Sequence, residues 1–315
     1  MSLEYLRQEM GSRVAEMIPL IKEPLWGYMG DYIPTVGDLR PGEKSIPVAQ
    51  IEYKGKAKLF NNSRVTDIPL VSSVITEDGF KTWKIVIGAD WAQDEIDAFL
   101  EATRSNANLF PHEDPLQTNL NAVNQIIAET ADQLIMYGGN GFDGFIENSR
   151  AVDDNDAVTD LYALTADELF NYLRGKINLF KREARLSSDQ VTMLLPSNIY
   201  DLLTQKRALG TSVYYDLTSR EQGSIIANVV EMKELDHTYL ESNGVYAPGT
   251  DTDRIILYHN NPETLRRRFY PIKTTPVQTH PNGMVYMMSA YYGSSEVMLR
   301  QPLRMRYINV NAPTG

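Results

Sequence analysis

The stretch EYKGKAKLFNNSRVTD, residues 52–67, constrains this chain more than any other. It is polar and basic, with Lys54, Lys56, Lys58 and Arg64, and it carries a turn signal, Asn61-Asn62-Ser63, near its middle. Strand-like runs flank it. SIPVAQIEYKGKAKLF leads in and VTDIPLVSSVITEDGFKTWKIVIGAD leads out. In the second run Trp83, Ile85 and Ile87 alternate with Thr82 and Lys84, the period of a strand with one buried face. Residues 45–89 therefore read as a β-hairpin. An arm of about 15 residues would reach roughly 50 Å, and a lone two-stranded hairpin is barely stable in water. Two readings stay open. The strands belong to an ordinary sheet, with the lysines as edge charges that deter aggregation. Or the arm projects and lies on a surface that another molecule supplies.

The first 44 residues raise the same question. Leu3, Leu6, Met10, Val14 and Met17 fall at helical spacing. The segment PLIKEPLWGYMGDYIPTVGDLRPGEK is too rich in Pro and Gly for long regular elements. It still carries Leu25, Trp26, Tyr28, Tyr32 and Ile33, which need an apolar surface. That surface is either the chain's own body or a neighbouring copy.

After the hairpin, ADWAQDEIDAFLEATRSNANL reads as a helix with Ile96, Phe99 and Leu100 on one face. A second helix is expected over residues 116–137, where Leu116, Leu120, Val123, Ile127, Ala131 and Leu134 form a stripe. YGGNGFDGFIENSR then packs four glycines into seven residues. A phosphate-binding loop follows a strand and opens a helix. This one follows a helix, and no Gly-Lys-Ser/Thr completes it. Gly138 and Gly139 read as a left-handed helix cap, with Gly141 and Gly144 in a tight turn.

Residues 150–285 read as an α/β region. Thr165 and Glu168 form a capping box at the start of TADELFNYLRGKINLFKREA. QVTMLLPSNIYDLLTQKRA reads as a buried strand and then a helix from Pro196-Ser197, while IIANVVEMKEL and DRIILYHNN are further strands. In the tail Met284, Tyr286 and Met288 alternate, and Leu303, Met305 and Tyr307 alternate with Arg304 and Arg306. One domain interrupted by another is the simplest topology.

Little here assembles chemistry. The absence of cysteine excludes disulfides and thiolate sites. The four histidines have no ligand spacing. Asp94, Glu95 and Asp97 lie on one helix, and the cluster AVDDNDAVTD lacks the glycine and terminal acid of a calcium loop, so both read as solvated. No nucleophile elbow is present. The expectation is a chain that is not an enzyme and takes no metal or cofactor. The formal charge of −11 disfavours sequence-specific DNA reading. No apolar run approaches a membrane span and no signal peptide is evident, so a soluble protein made in the cytoplasm is expected. Arg266, Arg267 and Arg268 alternate along a strand and cannot make one flat patch. They suit ion pairs with an acidic neighbour.

The order of these segments resembles a known family. Gly55-Lys56-Ala57 is followed by Asp67-Ile68-Pro69-Leu70-Val71, by the acidic helix Glu95–Glu101, by the long helix, by the turn Gly141–Asn148 and by the ending Arg300–Val310. This is similar to the major capsid proteins of tailed bacteriophages with the Hong Kong 97-like fold. The resemblance implies an α+β fold with an N-terminal arm (1–44), an extended hairpin loop (45–89), a peripheral domain (90–149 and 286–315) with a spine helix over 116–137, and an axial domain (150–285). It implies an icosahedral shell of hexamers and pentamers that encloses DNA, found in the virion and assembled in the bacterial cytoplasm. A separate scaffolding protein is expected, because little chain precedes residue 45, and a portal and decoration proteins are further partners. Trp26, Tyr28, Lys54, Lys56, Lys58, Arg64, Arg266, Arg267 and Arg268 are the expected intersubunit contacts. The competing readings are a cellular nanocompartment shell of the same fold and a soluble metal-dependent enzyme using its acidic clusters.

Overall fold

The structure of the chain is a computed structural model. It describes residues 32–54, 72–104, 115–155, 160–208, 210–219, 225–280 and 284–312, with the backbone alone at 49–54, 72–78, 98–100, 102–104, 115–118 and 155. The calls on Trp26, Tyr28, Lys56, Lys58, Arg64, the N-terminal helical stretch and the Asn61-Asn62-Ser63 turn lie outside the described residues.

In chain order the strands and helices are β1 (Thr35–Val36), β2 (Ser45–Lys54), β3 (Ser72–Ala92), α1 (Gln93–Arg104), α2 (Pro115–Met136), β4 (Val152–Asn155), α3 (Ala166–Ala184), β5 (Thr192–Leu195), α4 (Ser197–Leu202), α5 (Val213–Thr218), β6 (Asn228–Glu231), α6 (His237–Ser242), β7 (Thr252–Tyr258), β8 (Leu265–Thr274), β9 (Gln278–Thr279), β10 (Val285–Ser295), β11 (Met298–Leu299) and β12 (Met305–Asn311). They build two sheets, giving a mixed α+β architecture. A seven-stranded sheet has the order β1-β8-β10-β3-β2, with β11 on β8 and β9 on β10. A five-stranded sheet has the order β4-β12-β7-β5-β6.

β3 organises the first sheet. Its 21 residues span about 70 Å at 3.3 Å per residue. Its second half pairs with β10, from Thr82↔Ser295 to Ala92↔Val285. Its first half pairs with β2, from Lys81↔Ser45 to Ser72↔Lys54. Trp83, Ala89 and Trp91 on its inner face meet Tyr286, Met288, Ala290 and Tyr292 of β10 and the apolar stripe of α2. That stripe runs through Leu120, Val123, Ile127 and Ala131, as the spacing predicts. At 22 residues α2 is about 33 Å long.

The second sheet is buried on both faces. Leu194, Ile256, Tyr258, Met305 and Tyr307 face the α2 core. Met193, Leu195, Ile255, Leu257, Ile308 and Val310 face a separate core built with Leu169, Leu173, Ile177 and Phe180 of α3. The two sets alternate residue by residue along β7 and β12, which is why those strands read as nearly continuous apolar runs. The capping box holds α3 in place: the Glu168 amide donates to Thr165 Oγ1 at 3.4 Å, and the Thr165 amide donates to Glu168 Oε2 at 2.9 Å.

The strand pairings divide the tail differently from the sequence expectation. β8 and β9, placed with the α/β region by their position before residue 285, belong to the first sheet. β12, placed with β10, belongs to the second sheet, antiparallel to β7 and parallel to β4. Arg306 is buried, at 3.8 Å from Asp154 and hydrogen-bonded to Glu183. The acidic cluster read as a solvated loop supplies β4, an edge strand. There Asp154 also pairs with Lys176 at 3.1 Å, and Asp153 accepts from Asn309 at 2.8 Å.

Candidate assembly surfaces

β2 and the first half of β3 form a two-stranded ribbon. Among the described residues these two segments pair only with each other beyond Lys81. The pairing is symmetric about Ser63, inside the turn read from the sequence. Strands of ten residues on each side exceed what a lone hairpin stabilises in water. Among the described side chains, those at its base are anchored. There Ile46 and Phe80 pack with Leu39, Tyr270 and Met298 in a small third core. Gly293 makes room for this core, since a Cβ there would meet the Tyr270 ring at 2.3 Å.

The glycine-rich turn abuts this base. The end of α2 is closed by a chain reversal: Gly138 N–H donates to Leu134, Phe145 N–H to Ile135 and Ile146 N–H to Met136. These bonds satisfy the last carbonyls of the helix. Gly138 has φ +75°, and a Cβ there would lie 2.5 Å from the Phe142 carbonyl oxygen. The amides of Gly139, Phe142 and Gly144 bond to carbonyls within the turn itself, so the turn is a cap, as its position predicts. Lys81 Nζ donates to the Gly141 carbonyl at 2.6 Å. The buried Glu296 carboxylate accepts from the amides of Lys81, at 2.8 Å, and Asp143, at 3.3 Å. One carboxylate thus joins ribbon base, cap turn and the end of β10. Beside the turn, Asp143, Glu147, Asp153 and Arg254 border an open cavity of about 480 Å³.

On its outer face the first sheet carries an uncovered apolar strip. Val86 and Met287 are 59% and 37% exposed, and both take outward positions in the β3–β10 pairing. Val86 lies opposite Tyr291, and Met287 opposite Asp90. Between them Gly88 faces Ser289, leaving a notch. A second group of exposed aromatic residues, Tyr214, Tyr215 and Tyr239, lies on α5 and α6.

Near α6 sits a buried polar cluster. Asp253, fully buried, accepts from the His237 amide at 2.7 Å and from the Tyr162 hydroxyl at 2.6 Å. Burial and the Asp253 charge push the neighbouring Asp236 carboxyl up to about 6. The arrangement ties α6 to β7. Among the described residues no three His, Cys, Asp or Glu side chains converge to hold a metal ion, and no helix is long and apolar enough to cross a membrane.

The structure corrects part of the expected contact set. Arg267 is 1% exposed, so its guanidinium stays inside its own subunit, hydrogen-bonded to Tyr292 and 3.4 Å from Ser294 Oγ. Arg268 has its acidic partner in its own chain, Asp38, at 2.6 Å. Arg267 N–H donates to the Pro34 carbonyl at 2.9 Å, beside the parallel pairing of β1 with β8. The basic run thus fastens residues 34–38 to the sheet. Arg266 is partly buried on the same strand, and Lys54 ends β2 with its side chain undescribed. The uncovered strip was missed because Val86 and Met287 occur in runs where every second residue is core.

No family model matches the chain, and no curated relative matches it. Solved structures do. The capsid of Myoviridae phage XM1 superposes with a TM-score of 0.63 at 15% identity, covering 95% of this chain and 97% of that one. The capsid of a native GTA particle gives 0.60 at 10% identity, with 94% of each chain covered. The capsid of cyanophage P-SCSP1u gives 0.53 at 12% identity, covering 90% and 88%. The chain therefore has the Hong Kong 97-like fold over nearly its whole length.

Proposed function

We propose that this chain is a major capsid protein, whose copies assemble into the icosahedral shell that encloses the DNA genome of a tailed phage. One observation carries the reading. A fold shared end to end with phage capsid subunits includes a ribbon of two long strands that nothing in the described chain supports beyond its base. Such a ribbon is ordered when a neighbouring copy lies under it. The similar structures whose match is strong enough to weigh are phage and GTA capsids, which favours the virion over a cellular nanocompartment. In this reading the chain catalyses no reaction. The seven-stranded sheet with α2 serves as the peripheral domain, and the five-stranded sheet with α3 as most of the axial domain. Trp26, Tyr28, Lys54, Lys56, Lys58, Arg64 and Arg266 make contacts between copies. The net charge of −11 suits a wall that surrounds DNA without binding it by sequence. Scaffolding, portal and decoration proteins are its expected partners, and the host cytoplasm its place of assembly.

The experiment is a deletion of residues 56–64 in the expressed chain. The far-ultraviolet circular dichroism should stay that of the parent, and sedimentation should shift from large particles to subunits or small oligomers. Particles of normal size from the deleted chain would refute the role given to the hairpin.

A further inference from the structure

Between the end of α3 and the short turn Pro302–Arg304 runs a groove of about 340 Å³. Arg185 and Arg304 line it, and so does Leu303, which is 59% exposed. The acid among its lining residues, Glu183, is hydrogen-bonded to the buried Arg306. Arg304 has a neutral neighbour instead. It donates to His259 Nδ1 at 3.3 Å, and burial, then the Arg304 charge, hold that imidazole below its usual value. Arg185 is the exposed, left-handed cap residue of α3, at φ +54°. A cation at a helix C-terminus complements the helix dipole, which accounts for Arg185 alone. Arg304 comes from another element. The result is a positive surface with an apolar tip, on a chain whose net charge is −11.

The opposite sign borders the cavity of about 480 Å³ beside the cap turn. Asp143 accepts from the Ser149 hydroxyl at 2.8 Å and Asp153 from Asn309 at 2.8 Å, both neutral donors, and Glu147 is exposed. Arg254 lies in the wall, with its donors on the Ile146 carbonyl, Asn309 and Tyr246. Phe142 and Tyr307 add aromatic surface. The cavity and the groove lie on opposite faces of the five-stranded sheet. Successive residues of β12 point to opposite sides: Arg306 toward Glu183 and α3, Tyr307 toward the cavity and the α2 core. One chain therefore cannot join its own tip to its own cavity. We propose that the Leu303 tip, flanked by Arg185 and Arg304, docks in the cavity bordered by Asp143, Glu147 and Asp153 of a second copy of this chain. Leu303 meets the rings of Phe142 and Tyr307, and the guanidinium groups face the carboxylates. The phosphate backbone of DNA would suit the arginines but offers no apolar group to Leu303. A contact between unlike faces is head to tail, and such contacts propagate into rings when the rotation closes. The inference rests on the shell reading and specifies a contact within it.

The chain has no cysteine, so disulfide trapping is clean. Leu303→Cys is combined with Glu147→Cys, and as a control with Asp201→Cys, at an exposed position of α4. A disulfide requires the two α-carbons to approach within about 4.4–6.8 Å, so about tenfold more multimer ladder is expected from the first pair than from the control on a non-reducing gel. Particle formation is scored by negative stain on the parent chain. Parent particles without a ladder overturn the docking and leave the shell. A ladder from a chain whose parent forms no closed particles supports the docking and overturns the shell. Charge reversal is the second measurement. Arg185→Glu should keep the circular dichroism of the parent and raise the protein concentration needed for assembly by about fivefold, the size expected of one exposed charge pair. Adding Glu147→Arg should restore it. Unchanged assembly in Arg185→Glu, or no restoration by the second change, overturns the docking. So does binding of labelled duplex DNA that Arg185→Glu abolishes while assembly stays unchanged.

Discussion

The Arg254 guanidinium donates to the Ile146 carbonyl at 2.6 Å, joining the five-stranded sheet to the turn that closes α2. Arg254 is 4% exposed, and its other donors reach Asn309 Oδ1 at 2.9 Å and the Tyr246 hydroxyl at 2.6 Å. It also stacks over the Tyr307 ring at 4.5 Å. A buried cation with three neutral acceptors is a joint between the five-stranded sheet and the turn that closes α2.

Arg254→Met keeps much of the volume and removes every donor. The Ile146 carbonyl and the partly buried Tyr246 hydroxyl lose the guanidinium, while Asn309 Oδ1 keeps the Tyr246 hydroxyl as a donor at 2.6 Å. Urea unfolding should show a loss of about 2 kcal/mol, at about 1 kcal/mol or more for each acceptor left without its donor. A change below about 0.5 kcal/mol would mean that the joint is not structural.

Glycine requirements differ sharply along the chain. A Cβ at Gly144 would lie 2.4 Å from the Gly138 amide nitrogen, and Gly138 sits at φ +75°. Gly144→Ala and Gly138→Ala should each lower the melting temperature, by about 2–4 kcal/mol of stability, through strain in the helix cap. Gly175, in the middle of α3, has open space around it. Gly175→Ala should raise stability by about 0.5–1 kcal/mol through helix propensity. Thermal denaturation of the three variants checks both signs.

Asp236 predicts a pH dependence. Burial, then the charge of Asp253, raise its carboxyl from 3.8 to about 6, while His237 and the amides of Ser197 and Asn198 pull the other way. A folded-state value above the unfolded one means that the protonated acid is favoured in the fold. Its cost is absent below about pH 4, grows between the unfolded value of 3.8 and about 6, and is complete above that. The full displacement corresponds to about 3 kcal/mol, which solvent screening of this half-buried group reduces to about 1 kcal/mol. Asp236→Asn should therefore stabilise the chain by about 1 kcal/mol at pH 7.5 and not at pH 3.5. Equal effects at both values would show that ionisation is not involved.

The ribbon base is a local unit. Phe80→Ala removes the more deeply buried of the two aromatic side chains of the third core, at about 3 kcal/mol for a buried aromatic. Hydrogen exchange should quicken in the β2–β3 pairing and stay unchanged in α3. Gly293→Ala, which displaces Tyr270 from the same core, should give the same pattern. Exchange that quickened equally everywhere would mean that the base is continuous with the main core.

What the sequence disclosed follows from how local each signal is. The capping box at Thr165, the stripe of α2 and the glycine cap after it depend on residues within a few positions of one another, and each was legible. The pairing of β2 with β3 was legible as a hairpin because its two strands are neighbours in the sequence. The partners of β12 were not, since antiparallel pairing with β7 and parallel pairing with β4 involve residues about 50 and 150 positions apart. Asp residues disfavour strands, which hid β4. Its signal would have been the matching cations Lys176 and Arg306. Arg267 misled because arginine is usually exposed, and the hydroxyls of Tyr292 and Ser294 that receive it are on another strand.

Negative-stain electron microscopy of the expressed full-length chain tests the central claim most directly. Closed shells of uniform diameter, or the rings that build them, are the predicted result. Fields of small single subunits at high protein concentration, with no rings or shells, would contradict it.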